Sequence, residues 1–452
     1  MGIQTRNPYT DKDLKLYETL SQEVLDQKIV DADKVFQKFK TVKPATRVEK
    51  MQNLAKLLKK NKAKYAKQMS LEMGKPLSQA EGEIEKCAWV CEFYAENAPE
   101  FLEPDVIKTD AKSSYISKEP LGVILAIMPW NYPFWQVFRV IAPNLMLGNS
   151  ILIKHAPNTL GCGDMIQELV EEAGFKSHSV SHIIVEVDMV ESIIQHDLVK
   201  GVTLTGSTKA GSIVAGQAGK AIKKTVLELG GSNALVVFED TDIDETAKTC
   251  VKARFQNTGQ SCIAGKRLLV HESVYDEFIE KIKTEIKQLK TGDPFDKDTD
   301  ISVMAREDLA ENLKSQLDKS VELGAKISLG GQHNKTFFEP TLVENVSQDM
   351  PIFKEETFGP LMAVIKFNTD DEAISLINDS AYGLGVSLFT TNQDRIKNMI
   401  PQLEDGAVFV NSLVKSDPRL PFGGTKHSGY GRELAKDGIL EFANIKTIYI
   451  NS

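Results

Sequence analysis

From Ser114 to about Gly206 the chain repeats one pattern: a short apolar β-like run, then a stretch with helical spacing. GVILAIMPW, SILIKHA, HIIVEV and VTLTG are the runs. Near-continuous apolar strands separated by crossover helices belong to a parallel sheet buried on both faces, as in a doubly wound, Rossmann-like cofactor domain. A second series follows Glu228, with NALVVF, a helix through Thr246–Arg254, RLLVHESV, a Lys-rich helix, ISLGG, MAVIKF and GAVFVN. It predicts a second α/β domain. Before both, from Ser21 to Phe101, apolar residues recur at three and four spacing in VFQKFK, MQNLAKLLKKNKAKYAKQM and IEKCAWVCEFYAENA, so the opening is helical. The closing FANIKTIYI reads as a strand with no partner nearby in sequence, which suggests pairing across a subunit boundary.

At 452 residues and 42% hydrophobic, the chain can bury a large interior in two or three domains. Its formal charge of −9, without a dominant Lys/Arg block, argues against nucleic acid or an anionic membrane as partner. No apolar stretch reaches the length of a membrane span, and no signal-peptide pattern opens the chain. Five cysteines without a CxxC pair read as free thiols in a reducing compartment, the cytoplasm. Cys87 and Cys91, four apart on a predicted helix, are expected to face core. His178 and His182 lack a third ligand, so no metal is expected.

Four short stretches carry candidate chemistry. In FQNTGQSCIAGKR, Cys262 sits in a polar run ahead of Lys266 and Arg267, a setting for a partly exposed thiol with thiolate character, or for an inert loop cysteine. In VTLTGSTKAG, Gly206 lets the chain turn, Gly211 lets a helix approach, and Ser207 with the helix amides could face a phosphate; a plain βα turn fits equally. PWNYPFWQ stiffens with two prolines a loop carrying Asn131, an oxyanion donor or a helix cap. Glu228 precedes a Gly-Gly hinge in ELGGSN, as a swinging general base or a surface glutamate ending a strand.

Together PWNYPFWQ, ILIKHAPN, TGSTKAG, ELGGSN, FQNTGQSC, EETFGP and PFGGTKHSGYGRE, in this order, resemble the aldehyde dehydrogenase superfamily over nearly the whole chain, and its compact bacterial succinate-semialdehyde dehydrogenases in particular. The resemblance implies Cys262 as nucleophile, Asn131 as oxyanion amide and Glu228 as general base. It places Lys154 at the adenosine ribose, Gly206 and Ser207 at the pyrophosphate turn, and Glu356 at the nicotinamide ribose, with Phe358 beside it and Trp130 also on the cofactor side. It implies a cofactor domain over 1–110 and 121–228, a catalytic domain over 229–425, and a β element for oligomerisation from 111–120 and 426–452, hence a homodimer or homotetramer.

Two positions depart from the family pattern. Pro157 stands where many relatives carry an acidic residue that repels a 2′-phosphate, so NADP is admitted beside NAD. Gln256 stands where some relatives place a substrate-binding arginine; Arg139 matches another such arginine, and Arg419 is the candidate replacement. The implied reaction is oxidation of a small aldehyde, succinate semialdehyde, to the acid. A CoA-acylating dehydrogenase and a non-redox thiol acyltransferase are the alternatives.

Overall fold

The computed structural model describes residues 2–451. An antiparallel hairpin, Gly2–Asn7 with Lys12–Glu18, precedes four helices, Gln22–Phe39, Pro44–Lys60, Lys62–Met73 and Leu77–Phe101. The helices follow the predicted opening, and each termination has a local cause. Ser21 caps the first helix by accepting from the Val24 amide, and Gly74 ends the third in the left-handed region at φ 72°. The hairpin has too few buried residues to leave an apolar signature, so periodicity does not reveal it.

The first sheet has six strands, ordered 429–430, 224–228, 199–205, 123–127, 150–154 and 180–182. All are parallel except Gly429–Tyr430, which runs antiparallel to Lys224–Glu228. The chain starts in the middle at Val123–Ile127, winds outward through Ser150–Lys154, then returns to the other side at Val199–Thr205. The crevice outside the carboxyl ends of 123–127 and 199–205 is therefore a topological switch point, where doubly wound sheets hold ligands. The loop with Trp130 and Asn131 leaves one of these ends, and Gly206–Ser207 leaves the other.

The second sheet has seven strands, ordered 326–329, 341–344, 361–367, 265–271, 233–237, 386–389 and 408–410, parallel but for the first. Strands such as Asn233–Val237 are buried along their whole length, as their unbroken apolar sequence requires. The second and sixth strands, TLVE and VSLF, escaped the sequence reading because four residues with a polar member carry almost no periodic signal.

The closing strand, Ala443–Ile450, pairs antiparallel with Ser113–Pro120 of the same chain, through eight residue pairs from Ala443↔Pro120 to Ile450↔Ser113. About 320 residues separate the two strands in sequence, and the fold closes that gap within the chain, leaving Ala443–Ile450 at the edge of its sheet.

Candidate active site

Three adjacent strands of the second sheet begin at its edge facing the first sheet. The segments before them carry Gly230–Ser232, Cys262 and Glu356–Phe358. The amino ends of one sheet thus meet the carboxyl ends of the other. Cys262 lines two cavities at once. One, of about 320 Å³, is lined by Trp130, Asn131, Gly206, Ser207, Glu356 and Phe358 among others. The other, of about 390 Å³, is lined by Lys86, Trp135, Arg139, Lys252, Lys415 and Ser416 among others.

The loop that carries Cys262 is fastened by buried polar groups. Asn257 and Thr258 both sit at φ 55°, and Gly259 at φ 69° lies so close to the next segment that a Cβ would stand 2.3 Å from the Gly359 carbonyl. Only glycine fits there. Arg254, fully buried at the end of helix Ile243–Phe255, donates to the carbonyls of Thr357 (3.0 Å), Gly359 and Leu361, which ties the Glu356–Phe358 segment to this loop. Lys266 donates to the carbonyls of Ser261 (2.8 Å) and Cys262 (2.7 Å) and pairs with Glu356 at 3.2 Å. Glu356 in turn accepts from the Gly231 amide at 3.0 Å.

Asn131 caps no helix. Its Nδ2 donates to the Gln260 carbonyl at 3.1 Å, and its own carbonyl accepts from Asn257 and Lys75, each at 2.9 Å. An amide nitrogen has two N–H groups, so one remains for a ligand beside Cys262. The cap on helix Trp135–Leu147 is Glu83, whose carboxylate accepts from the Phe134 and Trp135 amides at 2.9 Å each and forms a fully buried ion pair with Lys75. Lys75 and Glu83 escaped the sequence reading. The available signal was Glu83 itself, four residues before Cys87 on a face whose spacing reads as core. Cys87 and Cys91 are indeed buried.

Burial pushes the Cys262 thiol up to about 11, against the opposing pull of Lys266 and Arg139. This corrects the expectation of a thiolate-favouring loop, because desolvation outweighs the two cations. Arg267, the second half of the expected basic pair, instead donates to the carbonyls of Ser232 (3.0 Å), Leu376 (2.6 Å) and Ile377 (3.0 Å).

Glu228 is no surface residue. It ends its strand 2% exposed, with neither carboxylate oxygen hydrogen-bonded. Burial raises its pKa well above the carboxylate range, and the Glu433 charge adds to this against Arg139 and Arg432. It lines neither cavity among the described residues; the carboxylate lies toward Gly423, and acting on a water beside Cys262 requires it to swing.

Arg139 lies in the wall of the second cavity, already engaged: its Nε is 2.6 Å from Glu433, its NH2 donates to Gln136, and it stacks over Phe422 at 4.5 Å. Arg419 is not in either cavity wall. It is two-thirds exposed, paired with Asp417 at 2.7 Å and resting near Trp89, so the expectation that it replaces the arginine absent at Gln256 is corrected.

Of the residues expected to meet a cofactor, Trp130, Gly206, Ser207, Glu356 and Phe358 line one cavity. Ser207 caps helix Thr208–Lys220, accepting from the Ala210 amide at 3.3 Å. Gly211 lets its helix approach, as expected, since a Cβ there would press into Leu229 at 2.6 Å; Gly206 differs, because its φ is not in the left-handed region and a Cβ would meet only Leu204 at 3.5 Å. Gly211 serves packing, and Gly206 keeps the cavity floor free of a side chain. Trp130 and Phe358 meet edge to face at 5.6 Å. Lys154, at the buried end of the neighbouring strand, and the exposed Pro157 lie along the same sheet edge, beyond this cavity.

Two opposed parallel-sheet edges with a thiol between two chambers define an aldehyde dehydrogenase architecture, and the comparisons agree. The chain belongs to the aldehyde dehydrogenase family, whose model matches residues 1–448. It is 43% identical to a Synechocystis sp. protein named "Probable succinate-semialdehyde dehydrogenase [NADP(+)]", each chain covered in full. It is 37% identical to the Escherichia coli (strain K12) succinate semialdehyde dehydrogenase [NAD(P)+] Sad, over 98% of this chain and 96% of the relative. The crystal structure of the succinic semialdehyde dehydrogenase from Streptococcus pyogenes in complex with NADP+ superposes with a TM-score of 0.97 at 36% identity, each chain fully covered.

Proposed function

We propose that the protein oxidises succinate semialdehyde to succinate with NADP or NAD. The observation that carries this reading is the place of Cys262, between a chamber built for a dinucleotide and a chamber rich in cations. The dinucleotide fits the first chamber: Gly206 leaves room for a close approach, the helix beginning at Thr208 offers amides to a pyrophosphate, and Glu356 offers a carboxylate to a ribose. Lys154 and Pro157 would meet the adenosine end. When bound, the cofactor supplies the hydride acceptor and a positive charge that favours the thiolate.

The Cys262 thiol loses its proton to water in the cleft, the thiolate attacks the aldehyde carbon, and the resulting oxyanion takes hydrogen bonds from the free Asn131 Nδ2–H and the Cys262 amide. After loss of hydride a thioester remains on Cys262. Glu228, swung toward the cleft, takes a proton from water; the hydroxide oxygen adds to the thioester carbon, and the C–S bond breaks to release the acid. In its buried position desolvation disfavours the charged form of Glu228, and a swing into the cleft relieves that desolvation and lets the carboxylate act as a base. Arg139 contributes positive charge to the substrate chamber.

We also infer a cofactor domain over 1–110 and 121–228, a catalytic domain over 229–425, and an oligomerisation element from 111–120 and 426–452. The first and second sheets and the paired strands 113–120 and 443–450 support this division.

Mixing the protein with succinate semialdehyde and NADP or NAD tests the reading through absorbance of the reduced nicotinamide. Stoichiometric succinate without added CoA supports it; a dependence on CoA would make the protein an acylating enzyme instead.

A further inference from the structure

The turn that carries Cys262 is held by one side chain of the strand that follows it. Lys266 lies four residues later, near the start of strand Gly265–His271, and is fully buried. Alternation along the strand sends Arg267 to the opposite face, toward Ser232, Leu376 and Ile377, while Lys266 reaches back to the turn. An ammonium has three N–H groups. Those of Lys266 are all engaged: by the Ser261 carbonyl at 2.8 Å, the Cys262 carbonyl at 2.7 Å and Glu356 at 3.2 Å.

These two carbonyls belong to the two peptide units that flank the Cys262 Cα. A trans peptide unit is planar, and its C=O and N–H point in opposite directions. Drawing the Ser261 carbonyl toward Lys266 therefore turns the Cys262 N–H away from it, and this N–H meets no protein acceptor among the described residues. Holding the second plane through the Cys262 carbonyl fixes both backbone dihedrals at Cys262, and with them the relation between its N–H and its side chain. Two neighbours support the arrangement. The Ser261 carbonyl also accepts from the Ala264 amide at 3.2 Å, and a Cβ on Gly231 would stand 2.6 Å from the Cys262 carbonyl oxygen. The amide of Asn131 is placed separately, by its bond to the Gln260 carbonyl at 3.1 Å.

We propose that Lys266 is a positioning residue of the oxyanion site, whose ammonium aims and polarises the Cys262 N–H. This rests on the reading above that the Cys262 amide is one of the two oxyanion donors. A cation hydrogen-bonded to the carbonyl end of a peptide unit strengthens the N–H at its other end as a donor. The demand on that donor is greatest when the aldehyde oxygen carries charge, so Lys266 acts on the chemical step and not on aldehyde binding.

The test is a single turnover with enzyme in excess over succinate semialdehyde at saturating NADP or NAD, followed by reduced-nicotinamide absorbance in the wild type and in Lys266→Met. Outright loss of an oxyanion donor costs roughly a hundred- to thousand-fold in rate. In Lys266→Met the N–H remains but is no longer aimed, so the limiting rate constant should fall by roughly ten- to hundred-fold, with the half-saturating enzyme concentration near the wild-type value. Lys266 also favours the thiolate of Cys262 by its charge, and alkylation by iodoacetamide, which needs the thiolate but no oxyanion donor, measures that contribution alone. The fall in the limiting rate constant should exceed the fall in alkylation; equal falls overturn the proposal and leave Lys266 an electrostatic partner of the thiol. A raised half-saturating concentration with the limiting rate constant intact marks loss of folded sites only and overturns it too. A wild type without aldehyde-dependent cofactor reduction overturns the functional reading instead. Should Lys266→Met not fold, Lys266→Gln carries the same readouts, because its uncharged side chain is one bond shorter and does not span both carbonyls; a limiting rate constant equal to the wild type there overturns the proposal.

Discussion

The two chambers that share Cys262 are built from different physics. On the side proposed for the cofactor the groups offered are main-chain and aromatic: a helix start capped by Ser207, a glycine floor at Gly206, the Trp130–Phe358 contact, and a carboxylate, Glu356, held by Lys266 and the Gly231 amide. On the substrate side they are side-chain cations on long stems, Lys86, Arg139, Lys252 and Lys415. Backbone geometry serves a ligand with a fixed shape, while placed side chains decide which small molecule reaches the same sulfur. The comparison predicts that changes on one side leave the other side's ligand largely unaffected.

The largest effect tests whether the sulfur belongs to both chambers. Cys262→Ala is expected to abolish aldehyde-dependent cofactor reduction while binding of the reduced cofactor, followed by its fluorescence, stays close to wild type; lost binding would mean the chambers are not separable. Glu228→Gln comes next. Steady-state turnover should fall by roughly a hundred- to ten-thousand-fold, yet a rapid burst of reduced cofactor should persist in stopped flow. Absence of the burst would place Glu228 before the thioester.

Arg139→Ala should act on the substrate side but through the fold. It leaves Glu433 buried without its partner beside Glu228, at a cost of about 3–5 kcal/mol, so Tm should drop and both aldehydes should suffer. A loss confined to succinate semialdehyde, with Tm unchanged, would make Arg139 a direct carboxylate ligand after all. The thiol itself reports on the empty site: with its pKa near 11, alkylation of Cys262 by iodoacetamide in the absence of cofactor should rise about tenfold per pH unit between 7 and 10. A plateau below pH 8 would show a thiolate already formed.

Pro157→Glu is expected to have the smallest effect, confined to the cofactor side. A carboxylate at this exposed position beyond the cavity should lower kcat/KM with NADP about tenfold relative to NAD, and less at high salt. Equal losses for both cofactors would remove Pro157 from the 2′ position.

By itself the sequence determined the two parallel sheets, because strands buried on both faces must be written as unbroken apolar runs, and SILIK and NALVV are such runs. It also determined the local chemistry of loops whose function depends on adjacent residues, as in the Gly206–Ser207 turn and the rigid segment around Asn131. The tertiary structure decided everything that depends on which distant groups share a buried space. Glu83 became a helix cap through Lys75 and the Trp135 amide, and Arg254 became the tie between Gly259 and the Glu356 segment. Arg419 was turned out to Asp417, and Ala443–Ile450 found its partner at Ser113–Pro120. Periodicity reports which face of an element is apolar, but a side chain's charge state and partner depend on desolvation and on contacts across hundreds of residues. That is why Lys86 and Glu85, neighbours on one helix, read alike in sequence while one lines the chamber and the other pairs with Lys62 at the surface.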